Sequence, residues 1–75
     1  MDKKTEAVIG KNIKLIREQK GITQELLATR LQLEGIDMTR SAVAKIEVGQ
    51  RHVYVDELVA IQKIFNVPFE EILKV

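Results

Sequence analysis

The sequence predicts an all-α domain of five helices packed in one compact bundle, and three observations lead there. Apolar residues recur at intervals of three and four in five separate segments. Residues that begin or end helices, such as Thr23, Thr39 and Gly21, stand at the borders of those segments. The alternation of β-branched and aromatic residues that is typical of strands is absent. A length of 75 residues suits one domain, which we expect to span residues 1–75.

The first two helices are predicted on either side of Gly21. The first runs from about Thr5 to Lys20, and its inward residues are Ile9, Ile13 and Ile16. Gly21 is expected to end it in the left-handed conformation. The second begins at Thr23 as N-cap, and its inward residues are Leu27, Ala28 and Leu31.

The last three helices follow a connection that contains Gly35. Thr39 is expected to cap the third helix, which continues to about Val48 and is closed by Gly49. The fourth runs from about Val55 to Phe65, and its inward residues are Leu58, Ile61 and Phe65. Asn66 stands where a left-handed cap is expected. A short fifth helix contains Phe69, Ile72 and Leu73.

The third helix has two chemically different faces when its residues are placed about 100° apart. The inward face consists of Ala42, Val43, Ile46 and Glu47, and the outward face of Arg40, Ser41, Ala44, Lys45 and Val48. Arginine and lysine match the acceptors of guanine in the major groove, and small side chains between them allow close approach. The outward face therefore suits DNA, although helical spacing alone fits a solvated face that is basic by chance equally well.

Two opposite charges lie at the edges of predicted core faces. Glu47 is on the inward side of the third helix, and Arg17 lies beside the inward isoleucines of the first. A buried charge is tolerated when it is paired. We therefore predict an Arg17–Glu47 ion pair between these helices; the alternative is that both side chains reach water separately.

Composition excludes several kinds of protein. The chain has no cysteine and one histidine, so disulfides and cysteine or histidine metal sites are not expected. The sequence has neither a Gly-rich phosphate-binding loop nor an evident pair of carboxylates, so we expect neither an enzyme nor a cofactor. No apolar run is long enough to span a membrane and no signal peptide is evident, so the expected location is the cytoplasm. The net charge is +1, but residues 1–52 are basic and residues 53–75 acidic. This distribution suits a protein that faces phosphate with one side, and it fits an accidental imbalance on a mixed surface equally well.

Three stretches resemble phage repressor/Cro (XRE) helix-turn-helix domains, which have the lambda repressor-like fold. Ile9 to Gln24 resembles the first helix and entry turn of that family. Thr39 to Arg51 resembles the recognition helix and its exit loop, and Val55 to Leu73 the last two helices. The joint order Arg…Gly-x-Thr-Gln…Lys-Ile-Glu-x-Gly is the specific feature, and the similarity covers almost the whole chain.

The resemblance implies a role for individual residues. Those implied to reach base edges are Arg40, Ser41, Ala44 and Lys45, and those implied to contact DNA phosphates are Thr23, Gln24, Thr39, Gln50, Arg51 and His52. Arg17 and Glu47 match the ion pair of the family. Candidates for a dimer interface are Val53, Tyr54 and Phe69.

The connection between the second and third helices departs from the family pattern. It contains about five more residues than the usual helix-turn-helix spacing, so either the second helix is longer or the loop is. The apolar residues Leu33, Ile36 and Met38 predict that the Gln32–Met38 segment packs on the domain. We expect it to cover Leu15 and Leu26, which stand at positions that the family usually leaves polar.

These expectations combine into one leading function. The chain is expected to be a sequence-specific transcriptional regulator, a repressor, that binds an inverted-repeat operator in double-stranded DNA as a homodimer. The alternative is an antitoxin-like or scaffold module that binds another protein, which the apolar segment Val53–Val55 would suit.

Overall fold

Five helices make up the regular structure of the chain, and the all-α prediction is confirmed. The computed structural model describes all residues from 1 to 75. The helices are α1 (Lys3–Gln19), α2 (Gln24–Leu33), α3 (Arg40–Glu47), α4 (Val55–Phe65) and α5 (Phe69–Leu73). Helix α3 packs against α1 and α2, α4 packs against α2, and α5 returns to α1.

Side-chain caps fix where the first three helices begin. The Thr23 hydroxyl accepts a hydrogen bond from the Leu26 amide at 3.0 Å, as predicted for this N-cap. Thr39 accepts from the Ala42 amide in the same way. Helix α1 begins earlier than predicted because the Asp2 carboxylate accepts from the Thr5 amide at 2.7 Å. That hydrogen bond favours the ionised carboxylate and lowers the pKa of Asp2.

The core forms where the helical spacing predicts. All the predicted inward side chains are buried except Ala42, which is half-buried. The buried apolar residues of the core are Ile9, Ile13, Ile16, Ile22, Leu27, Ala28, Leu31, Met38, Val43, Ile46, Val53, Leu58, Ala60, Ile61, Phe65 and Ile72. Asn66 adopts the predicted left-handed conformation, with φ of 55°. The inward faces of all five helices therefore contribute to one core.

The α2–α3 connection combines both predicted alternatives, since α2 continues to Leu33 and an irregular segment follows. Met38 is fully buried, Ile36 is half-buried, and the Gln32 side-chain amide donates to the Met38 carbonyl oxygen at 2.6 Å. The prediction for Leu33 was wrong, because this side chain is 81% exposed. Leu33 is still helical, and two residues of helix turn it about 200° away from buried Leu31.

The expected cover over Leu15 and Leu26 is also absent. Their side chains are 47% and 38% exposed. Within the connection, Met38 enters the core and Leu33 remains in solvent. Leu15 and Leu26 are left accessible to water. That part of the prediction was wrong.

Helices α1 and α3 make a very close backbone contact at Gly10. A Cβ atom at this position would overlap the Ile46 carbonyl oxygen. Because the obstacle is backbone, no side-chain rotation could relieve the overlap. Gly10 therefore sets the distance between α1 and the last turn of α3.

Candidate nucleic-acid interface

Helix α3 presents a polar face to solvent. Arg40, Ser41 and Lys45 are exposed and Ala44 is half-buried, whereas Val43 and Ile46 are buried. This is the division that the helical spacing predicts. Val48, which directly follows α3, adds an exposed apolar side chain that is 62% accessible. The outward face thus combines two positively charged side chains with small or apolar groups.

The cations of this face are not neutralised by the protein. The ion pairs of the structure involve Arg17, Arg51, His52 and Lys63. Arg40 and Lys45 belong to none of them. An arginine without a carboxylate partner keeps its planar set of donors available for two acceptors of one base.

A buried ion pair joins α3 to α1. Arg17 Nε donates to Glu47 Oε2 at 2.7 Å and its Nη2 donates to Glu47 Oε1 at 3.1 Å, so the contact is bidentate. The third guanidinium nitrogen, Nη1, donates to the Ile22 carbonyl oxygen at 2.8 Å. The hydrogen bonds to Glu47 raise the pKa of Arg17 above its ordinary value. The structure therefore brings together the two residues that the sequence paired.

Gln24 extends this pair to the start of α2. Its side-chain amide donates to Glu47 Oε1 at 3.0 Å, the oxygen that also accepts from Arg17. A polar cleft between the N-termini of α2 and α3 is lined by Arg17, Thr23, Gln24, Glu25 and Arg40. Sequence reasoning did not single out Glu25, because an exposed acid in the first turn of a helix is ordinary.

Thr23 and Thr39 stand at equivalent places on α2 and α3. Each hydroxyl oxygen accepts a backbone N–H as the N-cap, which leaves its own hydrogen free to donate. Both residues are exposed. A hydroxyl beside the N-terminus of a helix is well placed for a phosphate oxygen.

Arg51, by contrast, is held within the protein. Its guanidinium donates to both oxygens of Glu57 at 2.9 Å and to the His52 carbonyl oxygen, and it lies over the Tyr54 ring. These hydrogen bonds to Glu57 raise the pKa of Arg51. Three of its five N–H donors are engaged within the protein, so Arg51 orders the loop that follows α3 (residues 48–54, the exit loop), and its phosphate contact stays a prediction.

Glu57 receives a second donor from the backbone, since the Tyr54 amide binds Oε1 at 3.0 Å. Burial by itself would raise the pKa of Glu57. The hydrogen bonds from Arg51 and Tyr54 outweigh that effect, and the pKa lies below the ordinary value of 4.5. The contacts of Glu57 with Arg51 and Tyr54 thus fix the start of α4 relative to the exit loop.

His52 is linked to α1 through a buried carboxylate. Its Nδ1 atom lies 2.9 and 2.7 Å from the two oxygens of Glu6. The Glu6 side chain is buried, while the imidazole is 70% exposed. Gln50, the other loop residue predicted to meet phosphate, is exposed. The Glu6 contact could not be predicted from the sequence, because Glu6 and His52 are far apart along the chain.

The predicted dimer contacts separate into two kinds. Tyr54 is 60% exposed and Phe69 is 40% exposed, so both can reach another molecule. Val53 is 6% exposed and belongs to the core, which corrects its assignment to an interface. Val55, which the sequence analysis assigned to an apolar segment suited to a protein partner, is exposed on α4, and so is Val59, which was not singled out from the sequence.

Metal-binding clusters and membrane-spanning helices are both absent from the structure. No group of three or more histidine, cysteine, aspartate or glutamate side chains is arranged to hold a metal ion. None of the helices combines the length and the hydropathy needed to cross a membrane.

Comparison with known proteins agrees with this geometry. The family described as helix-turn-helix matches residues 13–72. The crystal structure of the DNA-binding domain of BldD is similar to this chain, with a TM-score of 0.79 and 23% sequence identity over 97% of this chain and 99% of that one. No curated protein matches the sequence. A likeness at this identity shows the fold, and the family match covers most of the chain. The chain therefore belongs to the helix-turn-helix family of DNA-binding transcription regulators.

Proposed function

We propose that the chain is a sequence-specific repressor that places α3 in the major groove of an inverted-repeat operator. The observation that supports this most directly is the outward face of α3, where Arg40 and Lys45 have no ion-pair partner in the protein. The helix behind them is fixed by the Arg17–Glu47 pair and Gln24. A recognition helix must be held rigidly, because misplaced donors cannot form a bidentate contact with a base.

In this proposal the remaining polar residues position the helix. Thr23, Gln24 and Thr39 lie at the N-termini of α2 and α3, where backbone amides and the helix dipole favour phosphate. Contacts of this kind fix the register on the duplex but carry no base information. Ser41 and Ala44 lie between the two cations and would contact base edges or exclude water there.

The direct test is selection of bound sites from a random DNA library, followed by titration at two salt concentrations. A selected inverted repeat and a steep salt dependence are expected, because cations that neutralise phosphates release counterions. Failure to bind any duplex at low salt would favour a module that binds protein instead.

Two variants separate base reading from positioning. Arg40→Ala should lose about 1–3 kcal/mol of binding free energy on the selected site and relax one base position. Gln24→Ala should weaken all duplexes by a similar factor and leave the salt slope unchanged, because glutamine displaces no counterion. The measurement is the affinity of each variant for the selected site and its single-base variants. Equal losses on every sequence for Arg40→Ala would make Arg40 a backbone contact.

A further inference from the structure

We propose that Glu6 and His52 form a phosphate-binding site that takes up one proton when the protein binds DNA. The proposal rests on the proposed function and adds a regulated contact to it. His52 belongs to the exit loop of α3, and Glu6 lies on α1 behind it. The recess between them is lined by Lys3, Glu6, Gly49, Gln50, Arg51 and His52.

The hydrogen bond between the two residues fixes which imidazole nitrogen carries hydrogen. Both oxygens of Glu6 are within 2.9 Å of Nδ1, and no other hydrogen bond to the Glu6 side chain is present. A carboxylate offers only lone pairs, so Nδ1 must donate. In neutral imidazole one nitrogen donates and the other accepts. Nε2 of neutral His52 is therefore a bare acceptor on the exposed side of the ring.

Phosphate oxygens also offer only lone pairs, so they cannot bind that bare nitrogen. They can bind Nε2 only when it is protonated and the ring is an imidazolium. The buried Glu6 carboxylate then balances the positive charge from behind. A DNA phosphate at the exit loop thus favours uptake of a proton by His52.

The other charged groups around the ring do not compete for this role. Lys3 on α1 lines the same recess and adds a permanent positive charge. Arg51, in the same loop, is neutralised by Glu57 of α4. His52 is the only histidine of the chain, and imidazole is the side chain whose charge ordinarily changes near neutral pH. A pH dependence in this range can therefore be traced to one side chain by substitution.

The test uses a duplex of mixed sequence, since a phosphate contact does not depend on base identity. Affinity of the full chain is measured from about pH 6 to pH 8 and at several salt concentrations. We expect the binding constant to fall with rising pH, by at most about tenfold per pH unit and chain. The salt dependence should be steeper at the lower pH by about 0.9 per chain, because one more phosphate is neutralised.

Two variants decide the assignment. In His52→Asn the amide can still donate to Glu6 but has no outward nitrogen, so both the pH dependence and the change in salt slope should disappear. In Glu6→Gln the new amide can donate to Nδ1, which leaves hydrogen on Nε2 of the neutral ring. Binding by this variant should then persist at high pH and vary less with pH. Thermal unfolding of both variants checks that they fold.

The outcomes separate this inference from the proposed function. If the wild type binds DNA and His52→Asn shows the same pH dependence and salt slopes, the proton-uptake site is refuted and the DNA-binding function stands. If no duplex is bound at low salt, both proposals fail. Should Glu6→Gln not fold, the comparison of wild type with His52→Asn still decides.

Discussion

Three buried carboxylates hold the surroundings of α3 together, and each has a partner on another part of the chain. Glu47 on α3 binds Arg17 of α1, Glu57 on α4 binds Arg51 of the exit loop, and Glu6 on α1 binds His52. A buried carboxylate costs free energy unless it is paired, so each pair constrains how its two segments are placed. Glu47 is the last residue of α3, and the partners of the other two carboxylates, Arg51 and His52, lie in the loop that follows it.

Removing one side of the Arg17–Glu47 pair should destabilise the fold strongly. The Arg17 side chain is only 9% exposed, and Glu47→Ala removes its bidentate partner. Breaking a buried pair in this way costs about 3–5 kcal/mol of the free energy of unfolding. The double variant Arg17→Met, Glu47→Leu should recover much of the loss, since it leaves no unpaired charge. Chemical denaturation of wild type and both variants measures this, and an unchanged midpoint for Glu47→Ala would show that the pair is not structural.

The pair between Arg51 and Glu57 should make stability depend on acid pH. The pKa of Glu57 is lower in the folded chain than its ordinary value of 4.5. Its contribution is therefore fully present above that value and is lost as the pH falls through the lower folded pKa. We expect wild-type stability to decrease more steeply below about pH 5 than that of Glu57→Gln, which cannot titrate. Denaturant midpoints measured against pH test this, and parallel curves for the two proteins would contradict it.

Helix positions depend on contacts that periodicity does not reveal. The spacing of apolar residues predicted the buried faces of the helices, because each residue of a helix is rotated by about 100° from the one before it. It could not predict Gly10, since a glycine within a helix gives no sign of which backbone lies against it. The same holds for Glu6 and Glu57, whose partners are set by tertiary packing. Arg17 and Glu47 could be paired only because both lie at the edge of an apolar face.

Gly10→Ala should destabilise the protein although alanine is the better helix former. Helix propensity favours alanine over glycine by about 1 kcal/mol. At Gly10 the added Cβ would overlap the Ile46 carbonyl oxygen, so α1 and α3 must move apart. Overpacking of this kind costs about 1–3 kcal/mol of the free energy of unfolding. This cost exceeds the gain in helix propensity except at the lower end of that range.

Thr29→Ala is a control for helix propensity alone, because Thr29 is exposed in the middle of α2 and its replacement by alanine adds no atoms. Its stability should stay equal or rise slightly. Thermal unfolding compares the two. A Gly10→Ala protein that is more stable than wild type would show that α1 and α3 adjust without strain.

The dimensions of the whole molecule limit what one copy can read. Helix α3 has eight residues and is about 12 Å long, which covers only a few base pairs. Specific operator binding by domains of this size is usually achieved with two copies whose recognition helices lie one turn of DNA apart, about 34 Å. Exposed apolar side chains lie outside α3, at Tyr54, Val55 and Val59 near α4 and at Phe69 and Leu73 on α5.

We therefore predict that two chains bind one operator cooperatively and that Phe69 contributes to their contact. Phe69→Glu places a charge on a side chain that is already 40% exposed, so the fold should survive while the contact between copies is weakened. Binding to a full inverted repeat should lose affinity and cooperativity, and binding to an isolated half-site should not change. Val59→Glu is the comparison on α4, because Val59 is also half exposed and was not among the predicted interface residues. Analytical ultracentrifugation with full-site and half-site duplexes measures the stoichiometry. A full site occupied by one chain, or equal loss on half-sites and full sites for Phe69→Glu, would contradict a dimer that uses α5.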